Sequence, residues 1–122
     1  MRNTRVARRY ALALMTAAEG QQTVERVAAD VAFLGSLTRT SRDLRMLLAS
    51  PVVSVARKRS VLQALLKGRV QPMTQSFVEL LTTKQREALL PEIVEQFDEL
   101  RDERLGIVNV HVTTAVDLTP EQ

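Results

Sequence analysis

The stretch LPEIVEQFDELRDERLGIVNVHVTTAV, residues 90–116, decides the fold class because it holds two periodicities side by side. Up to Arg104, the apolar residues Leu90, Ile93, Val94, Phe97 and Leu100 recur at helical spacing along one side. Glu92, Glu95, Asp98, Glu99, Asp102 and Glu103 occupy the other. This pattern predicts an amphipathic helix that begins near Pro91 and closes at Gly106. From Ile107 the period drops to two. Val108, Val110, Val112, Thr114 and Val116 alternate with Ile107, Asn109, His111, Thr113 and Ala115, which reads as one β-strand. Asp117-Leu118-Thr119-Pro120-Glu121 then has the form of a helix start, with Thr as cap and Pro in the first turn. A lone strand cannot satisfy its ladder hydrogen bonds. Residues 106–122 are therefore expected to be a linker and the first strand of an α/β domain that this chain lacks.

Before residue 90 the helical period is unbroken except at capping and breaking residues. A first helix is expected over residues 4–19, with Thr4 as N-cap and Gly20 as stop. A second covers 22–37, with Val24, Val27, Ala28, Val31 and Leu34 facing in. Thr40 or Ser41 caps a short third helix, which Ser50-Pro51 ends because the residue before Pro avoids helical backbone angles. Ser54 starts a fourth that stops at Gly68, and Pro72 opens a fifth carrying Met73, Phe77, Leu80 and Leu81. Residues 1–105 should thus form one all-α domain, a bundle of five or six helices.

The first helix is unusual in width. Val6, Tyr10, Ala13 and Ala17 form one stripe, and Ala7, Ala11, Leu14 and Ala18 form a second beside it. Together they span on the order of 160° of the helix surface, more than one core contact needs. The alanines would let another helix approach closely.

Composition narrows the chemistry. In 122 residues there is no Cys and a single His, His111. Disulfides, thiolate metal sites and thiol nucleophiles are excluded, and a His-based triad has almost no material. There is no Gly-rich phosphate loop, no zincin helix and no nucleophile elbow. The carboxylates of residues 92–103 are spaced as a solvated stripe and do not converge. No catalytic residue, metal ligand or cofactor-binding residue is expected. Charge is polarised: residues 1–70 hold 13 Lys/Arg against 4 Asp/Glu, and residues 71–122 hold 4 against 10. Such asymmetry points to two faces, or to a contact between a basic and an acidic surface. The run Arg57-Lys58-Arg59 with Lys67 and Arg69 raises a nucleic-acid reading, but one Tyr, three Phe and no Trp offer no stacking platform. The opening Arg8-Arg9-Tyr10-Ala11-Leu12-Ala13-Leu14 also looks like the start of the small all-helical RNA-binding antitermination proteins, the alternative reading.

A stronger likeness extends over the whole chain. Ala7-Arg8-Arg9-Tyr10-Ala11-Leu12-Ala13-Leu14 is followed by Leu47-Leu48-Ala49-Ser50-Pro51-Val52-Val53-Ser54 and Lys58-Arg59. Then come Phe77-Val78-Glu79-Leu80-Leu81, Leu89-Leu90-Pro91-Glu92-Ile93 and Glu95-Gln96-Phe97, and finally Val112-Thr113-Thr114-Ala115-Val116 and Leu118-Thr119-Pro120-Glu121-Gln122. In this order the sequence resembles the delta subunit of F-type ATP synthase, the counterpart of the oligomycin-sensitivity-conferring protein. It departs from the family at Lys84-Gln85-Arg86, where a Gly is usual in the turn after the fifth helix. The resemblance implies a non-catalytic stator component of the peripheral stalk, which keeps the catalytic head from turning with the rotor during ATP synthesis. It implies two partners: the N-terminal helix of an alpha subunit, and the b subunit through the missing C-terminal domain. No direct contact with nucleic acid is implied, and membrane association comes only through the complex, on the cytoplasmic face of the bacterial inner membrane. Carried over by position, the alpha-subunit helix would lie in a groove with Tyr10, Ala13 and Ala17 on one wall and Phe77, Leu80 and Lys84 on the other.

Overall fold

The computed structural model describes residues 3–116, with side chains described as far as Gly106. Among these residues the chain forms α1 (Thr4–Gly20), α2 (Val24–Thr40), α3 (Arg42–Ala49), α4 (Val55–Leu66), α5 (Pro72–Thr83) and α6 (Leu90–Val116), with a 3₁₀ turn at Glu87–Leu89. The boundaries follow local chemistry. Ser41 Oγ accepts from the Leu44 N–H at 3.1 Å, and Ser54 Oγ from the Arg57 N–H at 3.1 Å, so each satisfies a donor that its helix leaves unpaired. The α1 cap is Asn3 rather than Thr4; its Oδ1 accepts from Val6 N–H at 3.4 Å. At α5 the preceding residue, Gln71, makes no side-chain cap. Buried Asp30 on α2 supplies the oxygen instead, accepting from Gln71 N–H at 2.9 Å and Thr74 Oγ1 at 2.7 Å. That bond fixes the start of α5 against the middle of α2.

The core gathers around α6. Its Leu90, Ile93, Val94, Phe97 and Leu100 are all buried, as the stripe predicts, and Phe97 is fully so. Removing such a side chain from water contributes about 1.5–3 kcal/mol. The most extensive helix contact is between α1 and α6. Ala7, Ala11 and Ala18 of α1 are 0% exposed, so small residues bring the two helices close. Gly35 does the same for α2, since a Cβ there would lie 3.0 Å from Val94 Cγ1. The polarised charge is partly spent inside the molecule. Arg8 on α1 donates to Glu103 on α6 at 3.0 Å and lies 3.9 Å from Glu99, while Arg104 and Arg101 of α6 reach Glu19 and Glu25.

One polar knot is buried. Lys58 Nζ on α4 donates to Glu87 Oε2 at 2.5 Å and to the Leu48 carbonyl at 3.1 Å, with both charged side chains 6% exposed. It ties α3, α4 and the 3₁₀ turn together.

The strand expectation falls on residues of which only the backbone, or nothing, is described. Gly106 does not close the last helix, and α6 continues to Val116. Among the described residues no strand exists to pair with Ile107–Val116, and a helix closes its own hydrogen bonds where a lone strand leaves them open. The side chains of residues 107–116 and the cap-like segment 117–122, where a second domain was expected to begin, lie outside the described residues.

Candidate partner-docking site

Of the two apolar stripes on α1, the core takes one. Ala7, Ala11, Leu14 and Ala18 are buried, whereas in the other stripe Val6 and Tyr10 are half-buried and Ala13 and Ala17 are exposed. On α5 the arrangement is parallel. Thr74, Phe77, Val78, Leu81 and Thr82 are buried, Met73 is half-buried, and Leu80 remains 45% exposed. The other flank of α5 is covered by α4, where Arg59 donates to Thr83 Oγ1 at 2.7 Å and Gln63 to Glu79 at 3.1 Å. The α1 and α5 flanks meet at a ring contact: Tyr10 and Phe77 stand edge to face with centroids 6.4 Å apart.

The six residues named from sequence therefore divide. Tyr10 and Phe77 touch. Phe77, at 9% exposure, belongs mainly to the core. Ala13 and Ala17 lie open on α1. Leu80 and Lys84 are exposed on α5 and at its C-cap. A surface pocket of about 250 Å³ is lined by Arg9, Tyr10, Ala13 and Arg86. Sequence reasoning missed Arg9 and Arg86. Arg9 was legible, since it directly precedes Tyr10 and lies one turn before Ala13. Arg86 was not, because it comes from the far end of α5 through a turn.

That turn is Lys84-Gln85-Arg86. Gln85 has φ +58°, the left-handed region that favours glycine. Arg86 N–H donates to the Leu81 carbonyl at 2.8 Å and Gln85 N–H to the Thr82 carbonyl at 3.0 Å, the paired bonds of a Schellman motif. These bonds hold Arg86 in place beside α1.

The basic run does not form one surface. Lys58 is 5% exposed and paired with Glu87, and Arg59 is held by Thr83. A phosphate-contacting stripe would need these cations in solvent.

Comparison with known proteins finds relatives along the whole chain. Residues 6–122 match the family model for the ATP synthase delta (OSCP) subunit. The chain is 43% identical over its full 122 residues to the ATP synthase subunit delta of Chlorobium phaeobacteroides (strain BS1), covering 68% of that protein. It is 36% identical over 117 residues to the subunit delta of Chloroherpeton thalassium, covering 96% of this chain and 64% of that one. To that of Cytophaga hutchinsonii it is 38% identical over 122 residues, covering all of this chain and 67% of that one. The chain spans about two thirds of the length of these curated relatives.

Proposed function

The chain belongs to the ATP synthase delta (OSCP) subunit family, whose members are structural and not catalytic subunits, and on that premise we propose that it is a stator element of the peripheral stalk. In this reading the helical domain seats the N-terminal helix of an alpha subunit on top of the catalytic head. A further domain, as in the longer relatives, holds the b-subunit stalk. The work is mechanical: the joined parts resist rotor torque, so the head stays still while ATP is made. The complex places the subunit on the cytoplasmic face of the bacterial inner membrane. Among the described residues no helix is long and apolar enough to cross a membrane.

The observation that carries the docking half of this proposal is the surplus stripe of α1. Tyr10 touches Phe77 of α5, and Ala13, Ala17 and Leu80 are exposed among the described residues. An amphipathic helix placed there would set apolar side chains against Tyr10 and Leu80, and the two alanines would let its backbone come near. Lys84 sits at the rim, where an ion pair contributes roughly 0–1 kcal/mol. The test is titration of the protein with a synthetic peptide of the cognate alpha-subunit N-terminus, followed by co-purification of the full-length protein with alpha and b subunits. Saturable binding with chemical-shift changes centred on Tyr10, Ala13 and Leu80 is expected. Changes confined to the α3–α4 side would overturn the groove.

A further inference from the structure

We infer that this groove is an anion-selective dock, in which Arg9 and Arg86 jointly clamp one carboxylate on the apolar helix that enters it. The inference rests on the groove proposed above and adds what the partner must carry.

Three observations support it. First, the neighbouring arginines of α1 have different fates. Arg8 is taken up by Glu99, Glu103 and Gln96 of α6, whereas the Arg9 side chain has no ion pair or hydrogen bond to any described residue. Second, Arg86 is delivered to the same pocket from another element, and its guanidinium likewise has no partner among the described residues. It is held there by a turn whose Gln85 backbone sits in the left-handed region, so its position is built by the fold. Third, the other two lining residues, Tyr10 and Ala13, offer a ring and a methyl group, and no carboxylate lines the pocket.

Two cations around an apolar floor repel each other until an anion enters. A carboxylate resolves this, because its two oxygens accept from guanidinium N–H groups in a planar, charge-assisted pair. At about 250 Å³ the pocket suits one side chain better than a whole small molecule. Ala13 sets the geometry: its small side chain lets the incoming helix lie near α1, within reach of both arginines. The occupant is thus an amphipathic helix with Asp or Glu at the edge of its apolar stripe, where that stripe passes Tyr10.

Binding of the cognate alpha-subunit N-terminal peptide to the intact protein is measured for wild type, Arg9→Gln, Arg86→Gln and the double variant. Arg5→Gln serves as a charge control on the same helix. Peptides with each acidic residue changed in turn to its amide are measured against all of them. All three arginines are exposed or lack partners among the described residues, so the variants should fold, which circular dichroism checks. Each clamp variant should weaken binding about 5- to 10-fold, and Arg5→Gln less than 2-fold. One particular amide peptide should lose the same factor against wild type and nothing more against the double variant. Full-strength binding to the double variant overturns the clamp and leaves the groove standing. An equal loss from Arg5→Gln also overturns it, since net charge alone would then act. Displacement of the peptide by millimolar inorganic phosphate at constant ionic strength, with no sensitive acidic position, assigns the pair to a free anion and overturns the helix-borne carboxylate. Self-association that is lost in the double variant, in place of peptide binding, assigns the site to a second copy. No binding of any peptide to wild type removes the groove and the clamp together.

Discussion

The Tyr10 ring on α1 meets the Phe77 ring on α5 edge-on, with centroids 6.4 Å apart and planes inclined at 68°. This contact bridges the two helices, and Tyr10 also lines the surface pocket formed with Arg9, Ala13 and Arg86. Tyr10 is half in solvent and Phe77 nearly out of it, so the two ends of one interaction should respond differently to truncation. Phe77→Ala should cost about 3–5 kcal/mol of stability by leaving a core void. Tyr10→Ala should cost clearly less. A double-mutant cycle by urea denaturation should return a coupling of about 0.5–1.5 kcal/mol. A cost for Tyr10→Ala as large as that for Phe77→Ala would put Tyr10 in the core.

Ala13 is exposed, so Ala13→Asp should leave the melting temperature of the free protein within about 2 °C of wild type. The same change should weaken alpha-peptide binding at least about 10-fold, because the charge would be desolvated on docking. Calorimetry and a binding titration on one sample decide both halves. A large drop in melting temperature, or undiminished binding, would remove Ala13 from the docking surface.

The Lys58–Glu87 pair is almost wholly buried, and Glu87 Oε1 has no hydrogen-bond partner among the described residues. Lys58→Met alone should destabilise by about 3–5 kcal/mol, because it leaves a carboxylate buried without its counter-ion. Combining it with Glu87→Leu should recover most of that loss. Denaturation of both singles and the double checks the expectation. A double variant no better than the Lys58→Met single would mean that the pair's hydrogen bond to Leu48, and not charge balance, matters most.

Gln85 adopts φ +58° at the turn that presents Arg86. Gln85→Gly should be neutral to stabilising, by up to about 1 kcal/mol, since glycine adopts this conformation without a Cβ penalty. Peptide affinity should be unchanged, because the Schellman bonds still place Arg86. A destabilised variant would show that the Gln85 side chain makes contacts that outweigh the backbone relief.

Asp98 on α6, although exposed, has its pKa raised above the ordinary 3.8, first by partial desolvation and then by the Asp102 charge, with Arg101 and Arg39 opposing. The folded state therefore holds this proton more tightly than the unfolded state. Stability from this group is greatest at low pH and declines as pH rises from about 3.8 through the raised value. Asp98→Asn should accordingly stabilise at pH 7 by only a few tenths of a kcal/mol, because the group is exposed and screened, and should have no effect near pH 3. An increment that does not change across that window would assign the effect to something other than the proton.

Much of the bundle was legible in the chain itself. The caps at Ser41 and Ser54, the proline at the start of α5, the stop at Gly68 and the five-residue core stripe of α6 all depend on neighbours within a few residues. So does the division of α1 into two stripes, which periodicity alone exposed. Local hydrogen bonding and helical spacing carry that information without a tertiary partner.

Tertiary structure alone decided which α1 stripe the core takes, because that depends on the α6 side chains that arrive from some ninety residues away. It decided that Lys58, within a run of basic residues, is buried against Glu87 while Arg86 stands open beside Tyr10. It also drew the α5 cap from Asp30, forty-one residues upstream of Gln71. In each case the sequence states a residue's chemistry, but its surroundings are set by packing between distant elements. Whether a charge is solvated, paired or poised for a partner follows from those surroundings.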